Sequence, residues 1–172
     1  GGPIMQLGIH HVFNALNLLG PIERVKAIGA RRLISAEVPD LTGTILEHKS
    51  GAVTYLGCYY FCPRRFHLNL LATEASTILK IRLSQGELPE YFKTLFNADA
   101  NTELDIYWKG RSVPDRVDLP QRNVIIEELK EFVAWVRKGI PSEAHAQSGV
   151  ETLGVVLAAV ESMKSGRVVE IK

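Results

Sequence analysis

The sequence predicts an α+β fold: a large, mostly antiparallel, open β-sheet with helices packed on one of its faces. Three observations lead to this prediction. Helical periodicity marks both ends of the chain, β-prone stretches fill the middle, and the segments between those stretches are short and turn-like. Parallel neighbours need crossovers of about a dozen residues or more, so short connections favour antiparallel pairing. Residues 1–172 are predicted to form one domain.

The first predicted element is a helix from Ile4 to Leu19. Its apolar residues recur at helical spacing, Pro3 suits a first helical turn, and Gly20-Pro21 provides a stop signal. Six β-prone stretches follow, at residues 24–38, 42–47, 52–61, 66–72, 77–83 and 103–109. Residues 85–101 are expected to form a surface excursion with one helical turn around residues 91–96.

Two amphipathic helices and a short strand are predicted to close the chain. Residues 124–138 repeat apolar side chains at helical spacing and end at Gly139. Residues 148–165 form the second helix, which Gly166 ends, and residues 167–171 form the strand. Helices at both ends of an antiparallel sheet leave the other sheet face to be covered by something else.

Composition excludes several classes of function. The 20 basic and 19 acidic residues give a net charge of +1, so nucleic-acid binding is not expected. No apolar run approaches the roughly 18 residues that a membrane-spanning helix needs. With no secretory leader in the sequence, a cytoplasmic location is expected.

The two cysteines, Cys58 and Cys62, are interpreted as small core or interface residues. On one strand their Cα atoms would lie about 13 Å apart, beyond the roughly 7 Å limit for a disulfide. Their spacing is also a weak metal signal, and no HExxH or Cys/His ligand pattern occurs in the sequence. No metal site is therefore expected.

The opening helix carries the candidate site. Four polar residues at i, i+4, i+8 and i+11 form one stripe along it: Gln6, His10, Asn14 and Asn17. No charged residue occurs between residues 3 and 19, whereas a solvated helix face usually carries Lys or Glu. An uncharged polar stripe favours a semi-enclosed cavity that receives a polar ligand over an ordinary solvated face.

His10 is the candidate acid/base on this stripe, because histidine exchanges a proton near neutral pH. His11 points about 100° away around the helix and is expected to be structural. The sequence contains neither G-x-G-x-x-G nor G-x-x-x-x-G-K-[ST], so the chain on its own is not expected to hold a dinucleotide.

Both ends of the chain resemble the Gfo/Idh/MocA oxidoreductases, the family of glucose-fructose oxidoreductase and inositol dehydrogenase. GGPIMQLGIH at residues 1–10, with Asn14 and Leu18-Leu19-Gly20, is similar to the family motif GG-x-x-x-D-x-G-x-H-x-x-x-D and the helix end that follows it. EELKEFVAWVRKGIP at residues 127–141 and GVETLGVVLAAVESMKSGRV at residues 149–168 are similar to the two closing helices and last strand of the family. Gln6 and Asn14 replace the two acidic residues of the motif.

The resemblance implies the substrate-side, C-terminal domain of an NAD- or NADP-dependent enzyme, with the sheet topology of the C-terminal domain of glyceraldehyde-3-phosphate dehydrogenase. It implies that the cofactor is bound mainly by a Rossmann domain preceding this chain. The reaction would occur at a secondary alcohol of a sugar or polyol, with His10 as acid/base and with Gln6 and Asn14 as substrate ligands. A homodimer or homotetramer would form through the open sheet face.

Two other functions remain open at this point. Loss of both acidic positions is compatible with a non-catalytic family member that senses NAD(P). A sheet-mediated dimerisation module, whose polar stripe packs on a partner domain, is the third possibility. The sequence does not identify the substrate, the choice between NAD and NADP, or the direction of the reaction.

Overall fold

A computed structural model of the chain describes residues 2–33, 35, 37–62, 66–81, 102–120 and 122–171. Contacts divide the chain into two compact units, Gly1–Phe61 with Glu143–Lys172, and Cys62–Ser142. Each unit contains a four-stranded antiparallel sheet. The predicted α+β class and antiparallel pairing are confirmed. Instead of the single large sheet that was expected, the described residues form two four-stranded sheets.

The first unit contains four strands in the order β3-β2-β1-β8. They are β1 (Ile22–Ala30), β2 (Leu41–His48), β3 (Val53–Tyr59) and β8 (Val169–Glu170). Its helical elements are a π-helical turn (Ile4–Gly8), α1 (Ile9–Leu19) and α3 (Ala146–Ser165). The second unit contains β4 (Phe66–Leu71), β5 (Ala75–Ile81), β6 (Thr102–Trp108), β7 (Asp115–Val117) and α2 (Val124–Lys138).

The first strand ends earlier than its apolar composition predicted, at Ala30 instead of residue 38. The carboxylate of buried Asp40 accepts hydrogen bonds from the backbone amides of Arg32, at 2.9 and 3.0 Å, and Leu33, at 2.8 Å. The Asp40 amide donates to the Ala30 carbonyl at 3.0 Å. These bonds turn the chain back on itself, so the segment after Ala30 leaves the sheet.

The core of the first unit lies on one face of its sheet. Helix α3 packs on β1 and β8, α1 packs on α3, and the π-helical turn packs on β3. Alternate strand residues point towards these helices, and we call this side the covered face. Its buried residues are Val25, Ala27, Thr42, Thr44, Leu46, His48 and Cys58. The predicted packing of helices on one sheet face is therefore observed in this unit.

The opposite side of this sheet, the open face, carries exposed apolar side chains. Tyr55 on β3 is 80% exposed and pairs with Ile45 on β2. Ile45 pairs in turn with Lys26 on β1. The other exposed apolar residues of this face are Ile28, Val53 and Tyr59.

The hairpin between β2 and β3 holds the end of α1. His48, which is buried, bonds through Nδ1 to the carbonyl of Gly20 at 2.8 Å and through Nε2 to the Thr54 hydroxyl at 2.9 Å. The Ser50 hydroxyl donates to the Leu19 carbonyl at 2.9 Å. Because a helix end leaves carbonyls without intrahelical partners, these side chains stabilise the point where α1 stops.

The second unit orders its strands β4-β5-β6-β7. Strand β7 was not predicted, because three residues with two charges show no apolar alternation. It is held by Arg116, whose guanidinium lies 2.6 Å from the carboxylate of Asp105 on β6. The predicted excursion at residues 85–101, including its helical turn, lies outside the described residues.

Helix α2 begins and ends where the sequence predicted. The Asn123 side chain accepts hydrogen bonds from the amides of Ile125 and Ile126, both at 3.1 Å, and Gly139 ends the helix in the left-handed conformation at φ 67°. No residue of α2 is buried. Among the described residues, no helix is long and apolar enough to cross a membrane.

Both cysteines are free thiols, and their environments differ. Cys58 is buried on the covered face, as predicted for a core residue, whereas Cys62 is exposed. The core interpretation of Cys62 is therefore wrong. The prediction placed both cysteines on one strand, but β3 ends at Tyr59 and does not extend to residue 62.

We expect iodoacetamide to modify Cys62 and to spare Cys58 at neutral pH. Burial raises the pKa of the Cys58 thiol to about 11, so the reactive thiolate is rare until the solution becomes strongly alkaline. Peptide mass mapping of the native protein measures both positions, and mapping after denaturation is the control, in which both should react. Equal labelling of the two native cysteines would contradict the buried position of Cys58.

Candidate functional site

The candidate site begins at a glycine in the left-handed backbone conformation. Gly2 has φ +70°, and a Cβ at this residue would lie 2.7 Å from the carbonyl oxygen of Pro39. The Gly2 carbonyl accepts the amides of Met5 at 3.1 Å and Gln6 at 3.4 Å. Only glycine combines this backbone angle with so close an approach.

The predicted regular helix opens with a π-helical turn, Ile4–Gly8. A Cβ at Gly8 would lie 2.7 Å from Ile4 Cδ1 and 3.0 Å from Cys58 Sγ, so the turn presses closely against β3. Ile4 is fully buried beneath it. Single π turns within α-helices are rare and are frequent at functional sites. Gln6 lies within this turn and His10 in the first turn of α1.

The polar stripe is present on the side of the helix away from the core. Gln6, His10 and Asn17 are exposed, and Asn14 is half-buried. The residues that alternate with them at helical spacing are buried: Ile4, Gly8, Val12 and Ala15. The structure therefore places Gln6, His10 and Asn14 together along one helix, on an accessible surface of the first unit.

Tyr60 joins this site from the end of β3, and sequence reasoning missed it. Its hydroxyl donates to Gln6 Oε1 at 2.6 Å, across 54 positions of sequence. Strand alternation gives a partial signal, because Tyr60 follows Cys58 by two residues and so leaves the strand on the covered side, towards the π-helical turn. Burial raises the pKa of the Tyr60 phenol, and neighbouring Cys58 raises it further, so the hydroxyl retains its proton as a donor.

His10 and His11 differ in environment. His10 is exposed, whereas His11 is half-buried. Burial lowers the pKa of His11 below the ordinary value of 6.5, and the neighbouring His10 lowers it further. His11 is therefore held neutral in the folded chain at neutral pH, as a structural histidine would be.

A shallow cleft lies elsewhere on the first unit, between α1 and the beginning of α3. It is lined by Phe13, Leu16, Asn17, Pro21, Ser148, Glu151 and Thr152. Of the stripe residues, only Asn17 reaches this cleft. Within the described part of the chain, no group of three or more His, Cys, Asp or Glu side chains could hold a metal ion.

The sequence profile of the GFO/IDH/MocA C-terminal domain matches residues 1–78, which include the π-helical turn, α1 and Tyr60. A solved structure from Desulfitobacterium hafniense DCB-2, named a putative NADPH-dependent oxidoreductase, is 29% identical and covers 98% of this chain with a TM-score of 0.86. Over residues 1–78 the chain is similar to the Gfo/Idh/MocA C-terminal domain.

Other solved oxidoreductases share the fold of this chain at lower identity. UDP-N-acetylglucosamine 3-dehydrogenase from Acidithiobacillus ferrooxidans is 19% identical, with 95% of this chain and 47% of that chain covered and a TM-score of 0.75. The WlbA dehydrogenase from Bordetella pertussis, in complex with NADH and UDP-GlcNAcA, is 16% identical, with 100% and 46% covered and a TM-score of 0.71.

The chain spans about half the length of these solved structures, since it covers 48% of the Desulfitobacterium chain. A search of curated protein sequences found no match. The predicted resemblance to the family is confirmed over residues 1–78.

Proposed function

We propose that this domain forms the substrate side of an NAD- or NADP-dependent oxidoreductase that acts on a secondary alcohol of a sugar or polyol. The observation that carries the proposal is the position of His10. It is exposed at the start of α1, immediately after a π-helical turn, at the position of the motif histidine. The sugar-nucleotide dehydrogenases that share the fold support the substrate class.

In this proposal His10 exchanges the proton of the reacting hydroxyl. An exposed imidazole can reach a substrate oxygen, and a base within hydrogen-bond reach assists removal of the proton. When bound, NAD or NADP supplies the acceptor for the hydride. The half-buried His11, whose lowered pKa keeps it neutral, is not part of this step.

Gln6 and Asn14 would bind and orient the substrate. Both carry an amide, which offers one acceptor and two donor hydrogens to sugar hydroxyl groups. Neither amide can ionise, so Gln6 and Asn14 would orient the substrate without adding a charge beside His10. Positioning of this kind is a large part of enzymatic rate enhancement.

The cofactor would be held mainly by another domain of a longer two-domain chain. Among the described residues, no helix follows a strand through a glycine-rich turn, which is the arrangement that cradles a pyrophosphate. Solved relatives are about twice as long as this domain. An N-terminal Rossmann domain is therefore the proposed partner, in a cytoplasmic enzyme.

The test is turnover by the full-length protein with a panel of sugars and polyols, with NAD and NADP offered separately. We expect reduced nicotinamide to form with at least one member of the panel. Residues 1–172 alone are the control, and we expect them to show neither turnover nor saturable dinucleotide binding by calorimetry. Micromolar binding by residues 1–172 would overturn the two-domain proposal.

The open face of the first sheet would form a homodimer or homotetramer interface. Large exposed apolar side chains on one sheet face are typical of a surface that another chain covers. We expect Tyr55→Glu to weaken self-association at least tenfold, because a charge would be buried against apolar side chains. Sedimentation equilibrium measures this, with Leu33→Glu on an exposed loop as the control. Equal association by both variants would exclude this face.

An NAD(P)-sensing protein without catalysis is the second candidate. Gln6 and Asn14 in place of the motif carboxylates favour it. Dinucleotide binding by the full-length protein without turnover of any sugar or polyol would support this function over the enzymatic one.

A further inference from the structure

The Gln6 side chain is bonded to Tyr60 through the oxygen of its amide. The Tyr60 hydroxyl donates to Gln6 Oε1 at 2.6 Å. Within the described part of the chain, the Gln6 amide nitrogen has no hydrogen-bond partner. The carbonyl of the Gln6 side chain is therefore occupied, and its NH₂ group remains available at the exposed surface.

Tyr60 is itself well anchored, although its hydroxyl reaches the surface. Its backbone amide donates to the carbonyl of Asp40 at 3.0 Å, and Asp40 is buried with its carboxylate bound to backbone amides. Two residues earlier, Cys58 contacts the π-helical turn at Gly8. The end of β3 and the π-helical turn thus meet at two places, Gly8 with Cys58 and Gln6 with Tyr60.

We propose that Tyr60 is a positioning residue that holds the Gln6 side chain with its NH₂ group towards the substrate. This inference rests on the proposed function, since it assigns a donor to the same site. A carboxylate at the Gln6 position would offer only acceptors when ionised, whereas the amide held by Tyr60 offers two donor hydrogens. The substrate atom that meets Gln6 is therefore an acceptor, such as a carbonyl, ring, carboxylate or hydroxyl oxygen.

The kinetic test uses the full-length protein and the sugar or polyol from the panel that it turns over fastest. We expect Tyr60→Phe to raise KM about three- to tenfold and to change kcat less than threefold, because the net value of one hydrogen bond is small. Gln6→Ala should raise KM similarly, and Tyr60→Phe should add nothing in the Gln6→Ala background. Tyr107→Phe, at an exposed tyrosine of the second unit, is the matched control. Independent, multiplicative effects of the two substitutions would overturn the positioning role.

Gln6→Glu tests the orientation of the amide. The glutamate can still accept the hydrogen bond from Tyr60, but it has no donor for the substrate when ionised. We expect its KM to match that of Gln6→Ala near neutral pH. A KM equal to that of the wild type would show that the side chain of residue 6 accepts a hydrogen bond from the substrate. That result would overturn the proposed orientation.

A spectroscopic measurement separates this inference from the proposed function. In the full-length protein labelled with ¹⁵N-glutamine, the side-chain amide signals of Gln6 are identified by their loss in Gln6→Ala. Tyr60→Phe should shift these signals, and Tyr107→Phe should not. If the wild type turns over no sugar or polyol, the proposed function fails while this result still decides whether Tyr60 holds Gln6. Unshifted signals in Tyr60→Phe would overturn the inference even in an active enzyme.

Discussion

Replacement of His10 by alanine should lower turnover of the full-length protein by roughly 10²- to 10⁴-fold, the usual contribution of a general acid or base. His10 is exposed on the polar stripe between Gln6 and Asn14, so its loss removes the one side chain of the stripe that can exchange a proton. Steady-state kinetics between about pH 6 and 10 measures kcat and its pH dependence. Full activity in His10→Ala would leave the stripe as a substrate-positioning or domain-packing surface.

His11 provides the matched control for this experiment. His11→Ala should change stability more than kcat, because its half-buried side chain faces away from the proposed substrate side. The lowered pKa also has a consequence for stability. The unfolded chain binds a proton at His11 more readily than the folded chain does, so this residue makes the fold less stable as the pH falls below about 6.5. His11→Ala should lose less stability than the wild type between pH 7 and 5.5.

Replacement of Gly2 by alanine should produce the largest loss of stability among single glycine substitutions in the first unit. A non-glycine residue in the left-handed region costs about 1–2 kcal/mol. The added Cβ would also lie 2.7 Å from the Pro39 carbonyl oxygen, which is backbone and cannot rotate away. We expect a total cost of about 3 kcal/mol, since misfit in a packed site typically adds 1–3 kcal/mol.

Gly51 separates the two contributions to the effect at Gly2. Its φ is +86°, and a Cβ there would meet nothing within 4 Å. Gly51→Ala therefore measures the backbone cost alone, and the difference between the two variants measures the collision with Pro39. Thermal denaturation of both full-length variants gives the comparison. Equal midpoints would show that the approach of Gly2 to Pro39 relaxes at little cost.

The helix ends and the polar stripe could be predicted from sequence because both depend on local rules. Gly20, Gly139 and Gly166 end their helices as expected, and Gln6 and His10 share one side of the helix as their spacing indicated. That side is exposed, whereas the uncharged stripe favoured a semi-enclosed cavity. Side-chain spacing along a helix is a property of a short segment, and it survives the one irregular turn before α1. The roles of His10, Gln6 and Asn14 remain predictions.

Features that depend on tertiary contacts could not be predicted. The π-helical turn packs closely on β3, where a Cβ at Gly8 would lie 3.0 Å from Cys58 Sγ, on a strand distant in sequence. The early end of β1 depends on buried Asp40, and the contribution of Tyr60 depends on a hydrogen bond across 54 positions. None of these pairs has a local sequence pattern, because each is created by packing between elements.

The bonds from the β2–β3 hairpin to the end of α1 bear on how this domain can move. His48 and Ser50 attach the last carbonyls of α1 to the hairpin, while Gly8 and Tyr60 attach its other end to β3. A helix fixed to the β2–β3 hairpin at one end and to the end of β3 at the other cannot swing independently of the sheet. Any closure over a bound substrate would therefore carry His10 together with the β2–β3 hairpin.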